Sequence, residues 1–128
     1  MKLSKRSESN LIGVHPSLAH VMRVAIKASP HDYMITEGLR TQERQAKLVA
    51  EGKSKTLKSK HLKQDDGYGH AVDIMALDEQ GKGTWDMRYY RDIAQHILLV
   101  ADTLGIPITW GGSWSNFKDG PHFQLDQS

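Results

Sequence analysis

From Pro16 onward, apolar residues recur at helical spacing. In LAHVMRVAIKA, Leu18, Val21, Ala25 and Ala28 fall on one face. The spacing predicts a helix opened by Pro16-Ser17 and ended near Ser29-Pro30. DYMITEGLR then predicts a short strand running into a turn at Gly38. Thr41 is placed to cap a second helix, QERQAKLVAEG, which stops at Gly52. Beyond a polar stretch, AVDIMA (71–76) alternates as a strand does, and DEQGKGT reads as a turn. Asp86 caps the longest helix, MRYYRDIAQHILLVADTLG, with Gly105 in the usual place after a helix end. IPITWGG gives a short strand and a turn, and PHFQL (121–125) a last strand. Helices and short strands alternate without a βαβ rhythm. The expectation is an α+β fold, a small antiparallel sheet with helices packed against it, formed by residues 1–128 as a single domain.

Composition narrows the chemistry. Hydrophobic residues make up 38% of the 128 and charged residues 25%, the balance of an ordinary globular chain. No apolar run approaches the ~20 residues of a membrane span. The opening MKLSKRSESN lacks the apolar core of a secretory signal, so the expectation is synthesis and folding in a cytoplasm. There is no cysteine, which removes disulfides, thiolate catalysis and cysteine-based metal centres. Any metal site must use His, Asp or Glu. Net charge is only +2, but KSKTLKSKHLK (53–63) holds five lysines and no acid. It reads as a solvated loop or as a patch for a polyanion. With no aromatics among the lysines, nucleic acid is not an expected partner.

The histidines converge on SKHLKQDDGYGHAVDIMA (59–76). On the strand AVDIMA, side chains alternate between faces, so Ala71, Asp73 and Met75 share one and Val72, Ile74 and Ala76 the other. Asp73 is a lone acid inside an apolar strand. It needs a cation, backbone N–H donors or an arginine beside it. His70 stands an odd number of positions before Asp73 and points to the opposite face. His61 lies across a glycine-containing loop that can fold back to Asp73. Asp65 and Asp66 read as solvated loop residues. Near the C-terminus, KDGPHFQL (118–125) sets Asp119 and His122 about a Gly-Pro turn, with His122 and Gln124 on one strand face and Phe123 and Leu125 on the other. Asp119 either caps the turn or sets a carboxylate beside a ligand.

Two histidines and one aspartate make an open zinc site that leaves a fourth position for water. A carboxylate outside that set acts as general base. Together these groups are what amide hydrolysis requires. Arg40, just after the first strand, is placed either to hold a substrate carboxylate or oxyanion or to pair with Glu37.

The motifs Ser59-Lys60-His61, Gly69-His70-Ala71-Val72-Asp73 and Asp119-Gly120-Pro121-His122, with TEGLRT and WGGSWSNFKDGPHFQL, resemble the zinc peptidases that include D-Ala-D-Ala carboxypeptidases and phage L-alanyl-D-glutamate endopeptidases. The resemblance covers most of the chain from about residue 30. It implies the hedgehog/D-Ala-D-Ala-peptidase-like fold and a Zn2+ ion held by His61, Asp73 and His122. It further implies Asp119 as catalytic base, a catalytic or substrate-binding Arg40 and a hydrogen-bonding, substrate-binding Ser59. WGGSW points to the endopeptidase branch. The implied function is a bacteriolytic phage endolysin that cuts the L-Ala–D-Glu bond of peptidoglycan stem peptides. A monomer with no transmembrane segment would act on the cell wall after release through a holin lesion. The alternatives are a D-Ala-D-Ala carboxypeptidase and a non-catalytic zinc-containing binding domain. Two departures stand out. LKQDDGY puts seven residues between His61 and Gly69, where the family has a shorter spacer, and Ser113 stands where related sequences often carry an acid. The expectation is that the insertion bulges outward and leaves His61 in place.

Overall fold

The computed structural model describes the chain except residues 55, 115–117 and 127–128. Lys55 of the lysine run and part of WGGSWSNFKDGPHFQL therefore lie outside the described residues. In chain order the elements are α1 (Lys5–Asn10), α2 (Pro16–Ile26), β1 (Tyr33–Glu37), α3 (Gln42–Ala50), β2 (Ala71–Leu77), β3 (Gly83–Thr84), α4 (Met87–Leu104), β4 (Ile108–Trp110) and β5 (His122–Leu125). The strands run antiparallel in the order β1-β2-β5-β4, and β3 pairs with the end of β2. This is the expected α+β architecture.

The caps form as the residue types require. The Thr41 side chain accepts from the Arg44 N–H and the Asp86 side chain from the Arg88 N–H. Gly105 ends α4 at φ 73°, a left-handed conformation that costs a residue with a Cβ. The parity of β2 also holds. Val72, Ile74 and Ala76 are buried in one cluster with Leu18 and Met22 of α2, Ile93 and Ile97 of α4, Ile35 and Phe123. Asp73 and Met75 face the other way and are only partly covered.

Two elements escape the hydrophobic pattern. The first, α1, turns polar groups inward: the buried Ser7 Oγ accepts from the Ile35 N–H at 3.0 Å, and Asn10 Nδ2 donates to the Ile35 carbonyl at 2.9 Å. Both backbone groups of an edge-strand residue are thereby satisfied. The second, β3, lies within the stretch expected as a turn, where Gly83 and Thr84 add two rungs to β2.

Candidate active site

The bare face of the sheet carries the site. In register, Asp73 on β2 stands between Glu37 on β1 and His122 on β5. His61 comes over this row from the loop between α3 and β2. Its Nε2 lies 3.2 Å from Asp73 Oδ1, and His122 Nδ1 lies 3.2 Å from the same oxygen. These three residues are the group of potential metal ligands found among the described residues.

The outer nitrogens of both imidazoles are already committed. His61 Nδ1 donates to the Gly38 carbonyl at 2.8 Å, and His122 Nε2 donates to Gln124 Oε1 at 3.0 Å. Each neutral ring therefore turns a lone pair, not a proton, toward the carboxylate. Three electron-rich atoms converge, an arrangement that calls for a cation between them. Two bonds of about 2.0 Å at a tetrahedral angle set their ligand atoms about 3.3 Å apart, so the observed separations suit a small tetrahedral metal ion. Burial pushes Asp73 up, but the hydrogen bonds and charge that His122 and His61 offer it once protonated outweigh burial and hold the carboxyl well below the usual range. Burial pulls His122 down, yet Asp73 lifts it above the ordinary imidazole value.

His61 stays in position because the LKQDDGY insertion closes on itself. Lys63 bridges Gly69, the Gln64 N–H donates to the Tyr68 carbonyl at 2.8 Å, and the Gly67 N–H donates to the Gln64 carbonyl. The ends of this small hairpin are tied down separately. The Arg40 N–H donates to the His61 carbonyl at 2.8 Å and the His70 N–H to the Lys60 carbonyl at 2.7 Å. The outward bulge is as expected. His70 points away from Asp73, as strand parity requires, and its Nε2 meets Asp66 at 2.7 Å. Asp66 was expected only to be solvated; instead it ties the hairpin to buried His70. Asp65 is exposed.

Ser59 uses its Oγ to accept from the His61 N–H at 3.1 Å, and it lines the cleft. Of the two roles the sequence allowed, Arg40 takes the pairing with Glu37. Its Nε and Nη2 grip the two Glu37 oxygens at 2.9 and 2.8 Å, Nη1 donates to Gln45, and Nη2 stands 3.6 Å from Asp73 Oδ2 at the cleft wall. Burial pushes Glu37 up, but hydrogen bonding and charge from Arg40, with Arg44 beside it, hold its carboxyl below the usual range. Asp119 lines the same cleft, and its carboxyl is raised by burial and by the neighbouring Asp73 charge. Its turn is tightly built. The Asp119 N–H donates to the Gly111 carbonyl at 3.0 Å, and Trp110 Nε1 donates to the Gly120 carbonyl at 2.7 Å. Ser113 donates to the Trp110 carbonyl beside this turn.

The cleft encloses about 680 Å³ and is lined by the lysine loop and by Trp114, Lys118 and Asp119. Sequence reasoning assigned no role to Gln45, Gln124 or Trp114. Gln45 is fully buried; it accepts from Arg40 and donates to Ser54 and the Thr56 carbonyl, joining α3 to the lysine loop. A polar residue three positions before Leu48 on the covered face of α3 was the available signal. Trp114 packs against the His122 ring at 5.2 Å between centroids.

Comparison with known proteins adds a separate line. The family described as phage L-alanyl-D-glutamate peptidase matches residues 1–125. The L-alanyl-D-glutamate peptidase of Escherichia phage T5 is 33% identical over 122 residues, which cover 92% of this chain and 85% of that protein. The peptidoglycan L-alanyl-D-glutamate endopeptidase CwlK of Bacillus subtilis (strain 168) is 30% identical over 126 residues, covering 88% of this chain and 73% of the relative. The crystal structure of the Serratia marcescens L-Ala D-Glu endopeptidase ChiX superposes with a TM-score of 0.87 at 43% identity, over 98% of this chain and 90% of that one.

Proposed function

The chain belongs to the phage L-alanyl-D-glutamate peptidase family, and from that premise we propose a zinc-dependent peptidoglycan endopeptidase that hydrolyses the L-Ala–D-Glu bond of stem peptides. One observation carries the metal chemistry. Two imidazoles, each with its outer nitrogen occupied, aim their remaining lone pairs at one oxygen of Asp73 from 3.2 Å. His61 Nε2, Asp73 Oδ1 and His122 Nδ1 would hold the ion. What zinc supplies when bound is Lewis acidity toward the scissile carbonyl and a water acidified toward neutral pH.

The chain's own residues do the rest. Asp119, raised by burial and by Asp73, accepts the proton of the attacking water and returns it to the departing D-Glu amine. Gly38 and Gln124 orient the two imidazoles, as outer partners of metal-binding histidines do. Ser59 holds the His61 backbone. Arg40 spends three of its N–H bonds on Glu37 and Gln45. It stabilises Asp73 and turns its remaining N–H bonds toward the substrate carbonyl.

The names of the relatives favour this bond over a terminal D-Ala-D-Ala bond. As a lytic enzyme the protein would be made in the cytoplasm and reach the wall through a holin lesion. Among the described residues no helix is long and apolar enough to cross a membrane. Digestion of purified peptidoglycan followed by mass spectrometry tests the assignment. New N-terminal D-Glu is the expected product, and release of terminal D-Ala alone would overturn it. Metal analysis of the purified protein is expected to find one zinc per chain.

A further inference from the structure

The cleft has more positive charge than its acids consume. Lys58 and Lys60 of the lysine loop and Lys118, just before Asp119, all line it and are exposed. Among the described residues none of the three has a carboxylate partner, whereas Lys53 on the same rim pairs with Glu51. Of the three acids lining the cleft, Glu37 is occupied by Arg40 and Arg44 and Asp73 by the two histidines, and among the described residues Asp119 makes no ion pair with any of these lysines. The lysine loop is also anchored. Gln45 donates to Ser54 and to the Thr56 carbonyl, and the Lys58 N–H donates to Thr56 Oγ1 at 2.9 Å.

The substrate supplies the complementary charge. A glutamyl residue whose amine lies in the scissile bond still has two carboxyl groups, and only one carries the peptide onward. The other is a free carboxylate or, if capped, a carboxamide. It sits on the residue that bears the leaving amine and so lies within one residue of the metal. Arg40 is the cation that the sequence offered for such a carboxylate, but its bidentate edge is taken by Glu37. Lysine suits the task that remains, because a point charge on a flexible stem needs no fixed fork geometry.

Building on the endopeptidase reading, we propose that Lys58, Lys60 and Lys118 form a subsite for the free carboxylate of the D-glutamyl residue. The enzyme thereby selects acid stem peptides over amidated ones. The test compares two synthetic L-Ala–D-Glu stem peptides that differ only in whether that carboxyl is free or a carboxamide. A charged hydrogen bond gained over a neutral one predicts a kcat/KM about tenfold higher for the acid at low ionic strength. The preference shrinks as salt shortens the Debye length. Combined Lys58→Gln, Lys60→Gln and Lys118→Gln substitution should bring the acid-to-amide ratio close to one, and Lys60→Glu should lower it as well. A merely structural loss would slow both peptides alike and leave the ratio in place. Equal cutting by the parent, or an unchanged ratio in the triple variant, overturns the subsite and leaves the endopeptidase standing. Failure to cut either peptide, with no new D-Glu termini from whole peptidoglycan, overturns both.

Discussion

At the scale of single residues, the proposed mechanism separates the groups that would hold a metal from the group that would move a proton. Asp119→Asn keeps its place in the turn but lacks a basic carboxylate. It is expected to retain zinc, measured by metal analysis, while kcat falls at least about a hundredfold. His122→Ala should lose both metal and activity. Because the Asp119 carboxyl is raised, its basic form is lost as pH falls through a value above the ordinary ~3.9 of aspartate. Glu37 behaves in the opposite sense. Its folded carboxyl titrates below its unfolded value, so its contribution to stability is complete above that unfolded value and lost as pH falls through the folded one. Thermal melts of the parent and Glu37→Gln should therefore differ at neutral pH and converge in acid. Much of this scale was legible in the sequence. Strand parity separated Asp73 from His70 correctly, and the motif residues meet in space. Gln124 was seen to share a face with His122, but its role depended on which imidazole nitrogen it meets, and a face assignment does not contain that.

At the scale of elements, Gly111 after β4 shows how closely the backbone brings the proposed base to a candidate ligand. A Cβ on Gly111 would overlap the Asp119 carbonyl oxygen and stand 3.1 Å from His122 Cβ. Gly111→Ala must therefore shift one of them. Overpacking of this kind costs about 1–3 kcal/mol, measurable by denaturant unfolding. The larger expected effect is functional, a loss of kcat/KM of about a hundredfold for a displacement near 1 Å. The helices with apolar stripes and caps were legible because both signals lie within a few residues. Helix α1 was not, since it turns buried Ser7 and half-buried Asn10 to the Ile35 backbone rather than an apolar face to the core. Likewise β3 has only two residues and exists because β2 offers it an edge.

At the scale of the whole molecule, the three candidate ligands come from the long loop, β2 and β5, so metal binding should be folding free energy as well as chemistry. Zinc at a thousandfold excess over its dissociation constant adds about 4 kcal/mol. For a chain of this size, chelation should lower Tm by about 10 °C or more. An unchanged melting curve after verified metal removal would count against the site. The same removal is expected to abolish cleavage of peptidoglycan, with recovery on adding zinc back.

What the sequence determined by itself was local: which residues alternate, where helices start and stop, which face of β2 is apolar, and which residue types are present for metal and proton chemistry. Neighbours a few positions apart dictate these through the periods of strand and helix. The tertiary structure decided the partners. It gave the bidentate edge of Arg40 to Glu37, turned both imidazoles by occupying their outer nitrogens, and folded the insertion into a hairpin that leaves His61 over Asp73. It also gathered Lys58, Lys60 and Lys118, which have no carboxylate partner among the described residues, around one cleft. Such pairings join positions tens of residues apart, and geometry chooses among chemically equivalent partners only after the chain has closed.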